Sequence, residues 1–202
     1  MAIPLPPRAD HADTTVAAMR TLTWIAILSC FAGVARSANS SDNVNWKELL
    51  RERLPVYGHR NWIVVADSAY PAQSRAGIET VVSGEDQFPV LRYVLGVLAQ
   101  AKHVRAHVLL DQELQYVPES EAPGVEAYRR ELRGLVQRQT PEVLTHEQII
   151  AKLDEAGQTF RILIIKTNLT IPYTSVFLRL DCAYWSAEDE EKLRGAIKAH
   201  DH

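Results

Sequence analysis

The stretch NWIVVAD, residues 61–67, decides the fold class of this chain. Its consecutive apolar residues are typical of a strand that is buried on both faces, and the run ends in a carboxylate with Pro71 shortly after it. A strand without a polar face has to be covered by helices on both sides of its sheet. Four further stretches are predicted strands: IETVVS (78–83), VRAHVLLD (104–111), RILIIKT (161–167) and SVFLRLD (175–181).

Helical patterns alternate with these strands. WKELLRERL follows Asn45, a residue type that caps helices. Residues 88–100 and 123–139 are amphipathic, and Thr145 begins a further helix with a glutamine at the capping-box position. Alternating elements with short connections predict a single three-layer α/β/α domain with a largely parallel or mixed central sheet. The pattern leaves open whether residues 161–181 form a hairpin.

The composition narrows the classes of function. The 202 residues carry a net charge of −3, are 47% hydrophobic and include two cysteines. This is ordinary globular composition, without the positive charge that nucleic-acid binding needs and with too few cysteines for a disulfide scaffold. The chain also lacks the glycine-rich nucleotide and Walker motifs and a paired C-x-x-C, which argues against nucleotide chemistry and cofactor-dependent redox chemistry.

Residues 1–38 are expected to be a signal peptide with an upstream extension. The apolar run TLTWIAILSCFAGVA (21–35) follows an arginine and precedes small residues, and at about 15 residues it is too short for a stable membrane span. Export to the periplasm or the exterior follows from this interpretation. The alternative is a buried N-terminal helix in a cytoplasmic protein. Residues 39–185 are the predicted domain, and residues 186–202 a charged helical tail.

Polar residues at the ends of the apolar runs are the candidates for function. Asp67 closes a strand, and open α/β sheets bind ligands outside the carboxyl ends of their strands. His146 lies in the first turn of a helix, where the helix dipole disfavours a charged imidazole. The remaining candidates are His59, Tyr173, Thr174 and Ser175. Each candidate also has a structural explanation, such as the capping of a turn by Asp67.

Two histidines four residues apart, His103 and His107, raise the question of a metal pair. This spacing suits a helix, but the segment is a predicted strand, in which such positions lie about 13 Å apart. No third ligand accompanies them, and divalent sites use three or four ligands. No metal site is expected.

Four stretches occur in a distinctive order: LPVYGHRNWIVVADSAYP, VLRYVLGVLAQ, VLTHEQI and TIPYTSVFLRLD. In this order they resemble the D-ribose pyranase / L-fucose mutarotase family, over residues 49–185. The resemblance implies an aldose isomerisation at the anomeric carbon without metal or cofactor, which interconverts the anomers, or the pyranose and furanose forms, of a ribose-like or fucose-like monosaccharide. It also implies a homo-oligomeric ring, a decamer or a pentamer, with sugar sites between neighbouring subunits.

The same resemblance implies roles for the candidate residues. The catalytic acid is His59. The sugar-binding positions are Asp67, His146, Tyr173, Thr174 and Ser175. Ring opening needs an acid and a base on either side of the anomeric carbon, and histidine suits this because its ordinary pKa is about 6.5. A carboxylate accepts hydrogen bonds from sugar hydroxyls, and tyrosine offers an apolar ring face.

The predicted strand separates two of these residues. If residues 61–67 are extended, His59 and Asp67 lie about 20 Å apart. Either the corner that carries His59 folds back across the strand, or one site draws on two subunits, as the ring assembly implies. Asn61 and Ser175 stand where the family usually has an acidic residue and an asparagine. The alternatives are therefore a non-catalytic monosaccharide-binding protein on the same scaffold and a structural ring-forming protein.

Overall fold

The central sheet has six strands. In the computed structural model, which describes residues 45–200, they are β1 (Trp62–Ala66), β2 (Ile78–Val82), β3 (Val104–Asp111), β4 (Glu142–Leu144), β5 (Ile162–Lys166) and β6 (Val176–Cys182). The helices are α1 (Trp46–Arg53), α2 (Gln87–Gln100), α3 (Val125–Val136), α4 (His146–Ala156) and α5 (Ala187–His200). The predicted α/β class is confirmed.

The strands follow the order β2-β5-β1-β6-β3-β4 across the sheet. β5 runs parallel to both β1 and β2, and β4 runs parallel to β3. β6 is antiparallel to its two neighbours, β1 and β3, so the sheet is mixed. Because β1 lies between β5 and β6, residues 161–181 do not form a hairpin.

Alternate residues of β1 face opposite helical layers. Ile63 and Val65 belong to an apolar cluster with α1, α2 and α3, whereas Trp62 and Val64 belong to a second cluster with α4. Every residue of β1 is at most 2% exposed. Burial of a large apolar side chain contributes about 1.5–3 kcal/mol. β1 therefore anchors both layers, and the three-layer arrangement follows from its two apolar faces.

The helix ends follow local signals in the sequence. The Asn45 side chain accepts hydrogen bonds from two backbone amides of the first turn of α1. Thr145 and Gln148 form the expected capping box at the start of α4. Helix α3 is shorter than the predicted 123–139, because it begins after Gly124, whose φ of +94° suits glycine alone, and because its last turn becomes a 3₁₀ turn. The short strand β4 was not predicted, since three residues carry no periodicity.

Helix α5 contains no buried residue. Its largest apolar side chains, Leu193 and Ile197, are 45% and 51% exposed. The helix is stabilised locally, by hydrogen bonds between Ser186 and Asp189 at its start and by an ion pair between Glu190 and Arg194.

The expected signal segment, residues 1–38, lies outside the part of the chain that the structure describes. Within residues 45–200, no helix is both long enough and apolar enough to cross a membrane. Export of the protein stays a prediction.

One buried amide joins three segments at the carboxyl end of β1. The side chain of Gln87, which is 1% exposed, donates a hydrogen bond of 2.7 Å to the Thr174 carbonyl and accepts one of 2.7 Å from the Thr167 hydroxyl. Tyr128 donates a second hydrogen bond of 2.7 Å to the same carbonyl, and burial raises the pKa of its phenol, which keeps the hydroxyl protonated. The loop before β6 is thereby tied to α2 and α3.

Replacement of Gln87 tests this connection. We expect Gln87→Met to lower the free energy of unfolding by about 2 kcal/mol, because a side chain of similar length would lose its buried hydrogen bonds. Urea denaturation measures the change. The control Gln100→Met, at the exposed end of the same helix, should change stability by less than about 0.5 kcal/mol. Equal stability of the two variants would contradict a role for the buried amide.

Candidate functional site

Four polar or aromatic residues meet where β1 and β3 end. Asp67 follows β1, Asp111 ends β3, His146 begins α4, and Tyr173 lies in the loop before β6. The Nδ1 atom of His146 lies 3.1 Å from Oδ2 of Asp111, and the His146 ring meets the Tyr173 ring edge-on at 5.7 Å between centroids. Open α/β sheets bind ligands at this edge, so these residues form the candidate site.

Asp111 is the member of the site that was not among the sequence candidates. Its side chain is 1% exposed, and its Oδ1 atom has no hydrogen-bond partner among residues 45–200. Burial raises the pKa of Asp111 to about 6, while His146 opposes the shift and the charges of Glu113 and Asp67 add to it. A carboxyl group with this pKa holds or releases a proton near neutral pH. The available signal was that a second predicted strand, residues 104–111, also ends in a carboxylate.

Two capping interactions fix the backbone at His146. Its backbone amide donates to both carboxylate oxygens of Glu113, at 3.0 and 2.9 Å, and Thr145 caps the turn that it begins. Its side chain is 38% exposed, and its Nε2 atom makes no hydrogen bond to another residue in the described range. The imidazole therefore joins a buried carboxyl group on one side to solvent on the other.

Asp67 and Ser175 form a second pair at this edge. The Ser175 hydroxyl donates to Oδ2 of Asp67 at 2.8 Å, while the backbone amide of Ala69 donates to Oδ1 at 2.9 Å. Asp67 thus caps the turn after β1, which is the structural role considered for it in the sequence analysis. It also lies at the carboxyl end of the strand, as the sequence predicted. Each carboxylate oxygen keeps a further lone pair for a ligand.

The loop before β6 holds Tyr173 in a strained conformation. Tyr173 has a φ of +58°, which is uncommon for a residue with a side chain, and its ring is partly exposed. The next residue, Thr174, is buried, and its hydroxyl donates to the Ile171 carbonyl at 2.6 Å. The hydroxyls of Thr174 and Ser175 both donate hydrogen bonds within the protein, and these bonds hold the backbone at Tyr173 and the carboxylate of Asp67 in place. Direct contacts of Thr174 and Ser175 with a ligand stay predictions.

His59 lies at the opposite end of β1. Its Nδ1 atom is 3.2 Å from Oδ1 of Asp181, near the end of β6, and its side chain is 58% exposed. The backbone amide of the next residue, Arg60, donates to the Leu180 carbonyl, which fixes the corner to β6. The corner does not fold back across β1, and one chain does not bring His59 to Asp67.

The two histidines considered as a metal pair have separate partners. His103 contacts the carbonyls of Leu54 and Tyr57, and His107 contacts the Glu142 carboxylate at 2.7 Å. No group of three or more histidine, cysteine, aspartate or glutamate side chains within residues 45–200 is placed to hold a metal ion.

The electrostatics of the site favour an uncharged ligand. Three carboxyl groups, those of Asp67, Asp111 and Glu113, lie near one partly exposed imidazole. An anion would be repelled by them, whereas hydroxyl groups can donate to them. The arrangement can therefore hold a small polyhydroxylated molecule against the Tyr173 ring and exchange a proton with it.

Comparison with known proteins finds similarity only among solved structures. No family model matches the chain, and no curated protein matches its sequence. Bacillus subtilis RbsD, complexed with D-ribose, is 22% identical over 66% of this chain and 91% of its own, with a TM-score of 0.46. The fucose mutarotase from Streptococcus pneumoniae, in complex with L-fucose, is 20% identical over 70% of this chain and 92% of its own, with a TM-score of 0.43. FucU from Bifidobacterium longum is 17% identical over 66% and 94%, with a TM-score of 0.41. These similarities are too low to assign the chain to a family.

The raised pKa of Asp111 predicts a specific pH dependence of stability. Because the pKa is higher in the folded chain than in the unfolded chain, the proton stabilises the fold below about pH 4, and this contribution is lost as the pH rises through about 6. The variant Asp111→Asn lacks the titration. We expect its free energy of unfolding, relative to the parent protein, to rise by about 2 kcal/mol between pH 4 and pH 7.

Urea denaturation at several pH values measures this difference. Asp86→Asn is the matched control, because Asp86 is exposed and its side chain makes no capping hydrogen bond at the start of α2. Its difference from the parent protein should stay flat over the same range. A flat profile for Asp111→Asn would mean that the carboxyl group is already ionised at pH 4.

Proposed function

We propose that the protein binds an uncharged monosaccharide at the edge where β1 and β3 end, and that it catalyses exchange between the anomers, or between the pyranose and furanose forms, of that sugar. The observation that carries the proposal is the His146–Asp111 pair, in which a partly exposed imidazole bonds to a carboxyl group that is 1% exposed. The adjacent Tyr173 ring and the Asp67 carboxylate supply the contacts that a sugar needs.

The chemistry is a reversible opening of the hemiacetal ring. A base removes the proton of the anomeric hydroxyl while an acid protonates the ring oxygen, so the bond between the anomeric carbon and the ring oxygen breaks and a carbonyl forms. Rotation about the adjacent carbon–carbon bond and reclosure, through the same or another hydroxyl, give the other form. The two proton transfers reverse on closure, so no net proton is consumed.

His146 is suited to one of these transfers. If Asp111 accepts a hydrogen bond from Nδ1–H, the Nε2 atom is the basic one and faces the exposed side. When Nε2 takes up a proton from the sugar, an ionised Asp111 carboxyl group balances the charge of the imidazolium that forms.

The second proton transfer falls, by the resemblance, to His59, which one chain does not bring to this edge. We assign it to His59 of a neighbouring copy, because this histidine is 58% exposed and lies at the far end of β1 from Asp67. In a ring, the edge of one subunit's sheet that carries His59 could face the edge of the next subunit's sheet that carries His146. Such a ring would bring the two histidines into one site. This arrangement keeps His59 as the acid and makes the assembly necessary for catalysis.

Saturation-transfer NMR between sugar anomers tests the activity directly. We expect the protein to accelerate exchange for D-ribose or L-fucose, and His146→Gln to reduce the acceleration by about 100-fold or more, because a general acid–base group contributes 10²–10⁴-fold. His200→Gln, the same change in the exposed α5 helix, should leave the rate unchanged. Circular dichroism checks that both variants fold. Full acceleration by folded His146→Gln would exclude this histidine from the reaction.

Complementation between inactive variants tests the shared site. We expect His59→Ala and His146→Gln to be inactive separately and to regain part of the activity when they are co-expressed, because some sites then combine an intact His59 from one copy with an intact His146 from another. Light scattering should give an oligomer in each case. An active monomer, or activity that survives His59→Ala, would contradict the assignment of His59.

Sugar binding without catalysis is the second candidate function. It is favoured by the engagement of the Ser175 hydroxyl with Asp67, which leaves one fewer group to orient the anomeric centre. Calorimetry that detects tight binding of a monosaccharide, together with an exchange rate equal to that of the free sugar, would support this function over the first.

A further inference from the structure

Two polar atoms behind the candidate site are buried and lack a hydrogen-bond partner. One is Oδ1 of Asp111, and the other is the hydroxyl oxygen of Tyr70, a residue that is 4% exposed. No polar atom of residues 45–200 is in hydrogen-bonding geometry with either of them, although the Gln73 side chain acts to lower the pKa of the Tyr70 phenol. Buried polar atoms of this kind are costly unless they are satisfied, and ordered water commonly satisfies them.

The register of the sheet places both atoms on the face that α4 covers. Leu109 and Asp111 lie two residues apart on β3, so their side chains point to the same face. Phe177 of β6 lies opposite Leu109, and the Tyr70 ring meets the Phe177 ring edge-on at 6.2 Å between centroids. The Tyr70 ring therefore packs beside the end of β3, where Asp111 lies.

Packing does not explain the hydroxyl of Tyr70. Its ring belongs to the apolar cluster beneath α4, where phenylalanine would supply the same contacts without burying a polar atom. Elsewhere in the domain, the buried hydroxyl of Tyr128 donates to the Thr174 carbonyl. The Tyr70 hydroxyl needs a comparable acceptor.

The charges around Tyr70 identify that acceptor. Burial raises the pKa of the phenol, and the carboxyl groups of Asp111, Asp154 and Asp67 add to the shift, with Asp111 the strongest of the three. The hydroxyl therefore stays protonated and can donate. Asp67 already accepts two hydrogen bonds within the protein, and Asp154 is partly exposed to solvent. Asp111 is the buried carboxyl group that still has an unbonded oxygen.

We propose that Tyr70 is a positioning residue for the anomer exchange, because its hydroxyl donates to a buried water that in turn donates to Oδ1 of Asp111. The phenol, the carboxyl group and the Gln73 side chain supply the two to four polar partners that a buried water needs. Oδ2 of the same carboxyl group bonds to Nδ1 of His146. With both oxygens bonded, the carboxylate is held in place and keeps the Nε2 atom of His146 free for the sugar.

The hydrogen bond has a predicted effect on the titration of Asp111. Burial raises the pKa of this carboxyl group to about 6; His146 of α4 opposes the shift, whereas the charges of Glu113 and Asp67 add to it. A donated hydrogen bond favours the ionised form, as His146 does. Loss of the Tyr70 hydroxyl should therefore raise the pKa of Asp111. The positioning role rests on the proposed function, but this effect on the pKa does not need a sugar.

Tyr70→Phe tests the hydrogen bond without a sugar. A ¹³C NMR titration measures the pKa of Asp111, whose carboxyl resonance is identified by its absence in Asp111→Asn. We expect Tyr70→Phe to raise this pKa by about one unit, as for the loss of a hydrogen bond to a charged group. Tyr93→Phe is the matched control, because its buried hydroxyl also has no partner in the described range but its ring packs against Trp46, in the other helical layer. The control should leave the pKa of Asp111 unchanged.

The pH profile of sugar exchange tests the positioning role. In saturation-transfer NMR, the acid limb of the rate for Tyr70→Phe should move to higher pH by the same amount as the pKa of Asp111. The parent rate should return at about pH 8, because Asp111 is then ionised in both proteins.

Three results would overturn the proposal. An unchanged pKa of Asp111 in folded Tyr70→Phe would exclude the hydrogen bond. A raised pKa with an unmoved acid limb would exclude the positioning role. A raised pKa in a protein that accelerates no sugar exchange would reject the anomer exchange, and the positioning role with it, while the hydrogen bond would stand. Thermal denaturation checks that Tyr70→Phe, which lacks a single oxygen atom, is folded.

Discussion

A strand that is buried on both faces can carry polar chemistry only at its ends. The five residues of β1 are nearly inaccessible, and they are paired with β5 on one side and β6 on the other. No ionisable group can be placed along such a strand without the cost of burying a charge. The candidate side chains are therefore divided between two edges of the sheet, with Asp67 at one and His59 at the other.

The two edges differ in charge because different elements reach them. At the carboxyl end of β1, β3 brings Asp111 and the start of α4 brings His146, beside two further carboxylates. At the opposite end, the corner before β1 and the middle of β6 bring Arg60 and Arg179. Helix α4 contacts both edges. The two edges of one sheet therefore differ in the charge that they present.

The candidate site is rigid because its support is buried. Gln87 and Tyr128 both donate to the Thr174 carbonyl, and this fixes the backbone on which Tyr173 is strained. The strain is tolerated because neighbouring hydrogen bonds over-determine the loop. The proposed proton transfer depends on the placement of these groups, so the same support would matter to it as well as to stability.

Local patterns predicted the elements better than their assembly. The apolar run of β1 and the caps at Asn45 and Thr145 are signals carried by neighbouring residues, and the structure has the strand and both helix starts. The insertion of β1 between β5 and β6 depends on contacts about 100 residues apart, for which the sequence has no local signal. The sequence identified Asp111 only as the last residue of a predicted strand. Its place in the candidate site depends on its contact with His146, which lies 35 residues further along the chain. The inward hydroxyls of Thr174 and Ser175 could not be distinguished from available ones, because a polar loop has the same composition in either case.

The exposure of helix α5 affects how the protein unfolds and exchanges its amide hydrogens. Since none of its residues is buried, and since its stabilising contacts are almost all internal, its unfolding exposes little apolar surface. Its amide hydrogens will exchange with solvent through local fraying at rates that denaturant barely changes, while those of β1 exchange only when the whole domain unfolds. The domain therefore has two levels of protection against amide hydrogen exchange. Unfolding of α5 would hardly change the signal of the cooperative unfolding transition of the sheet.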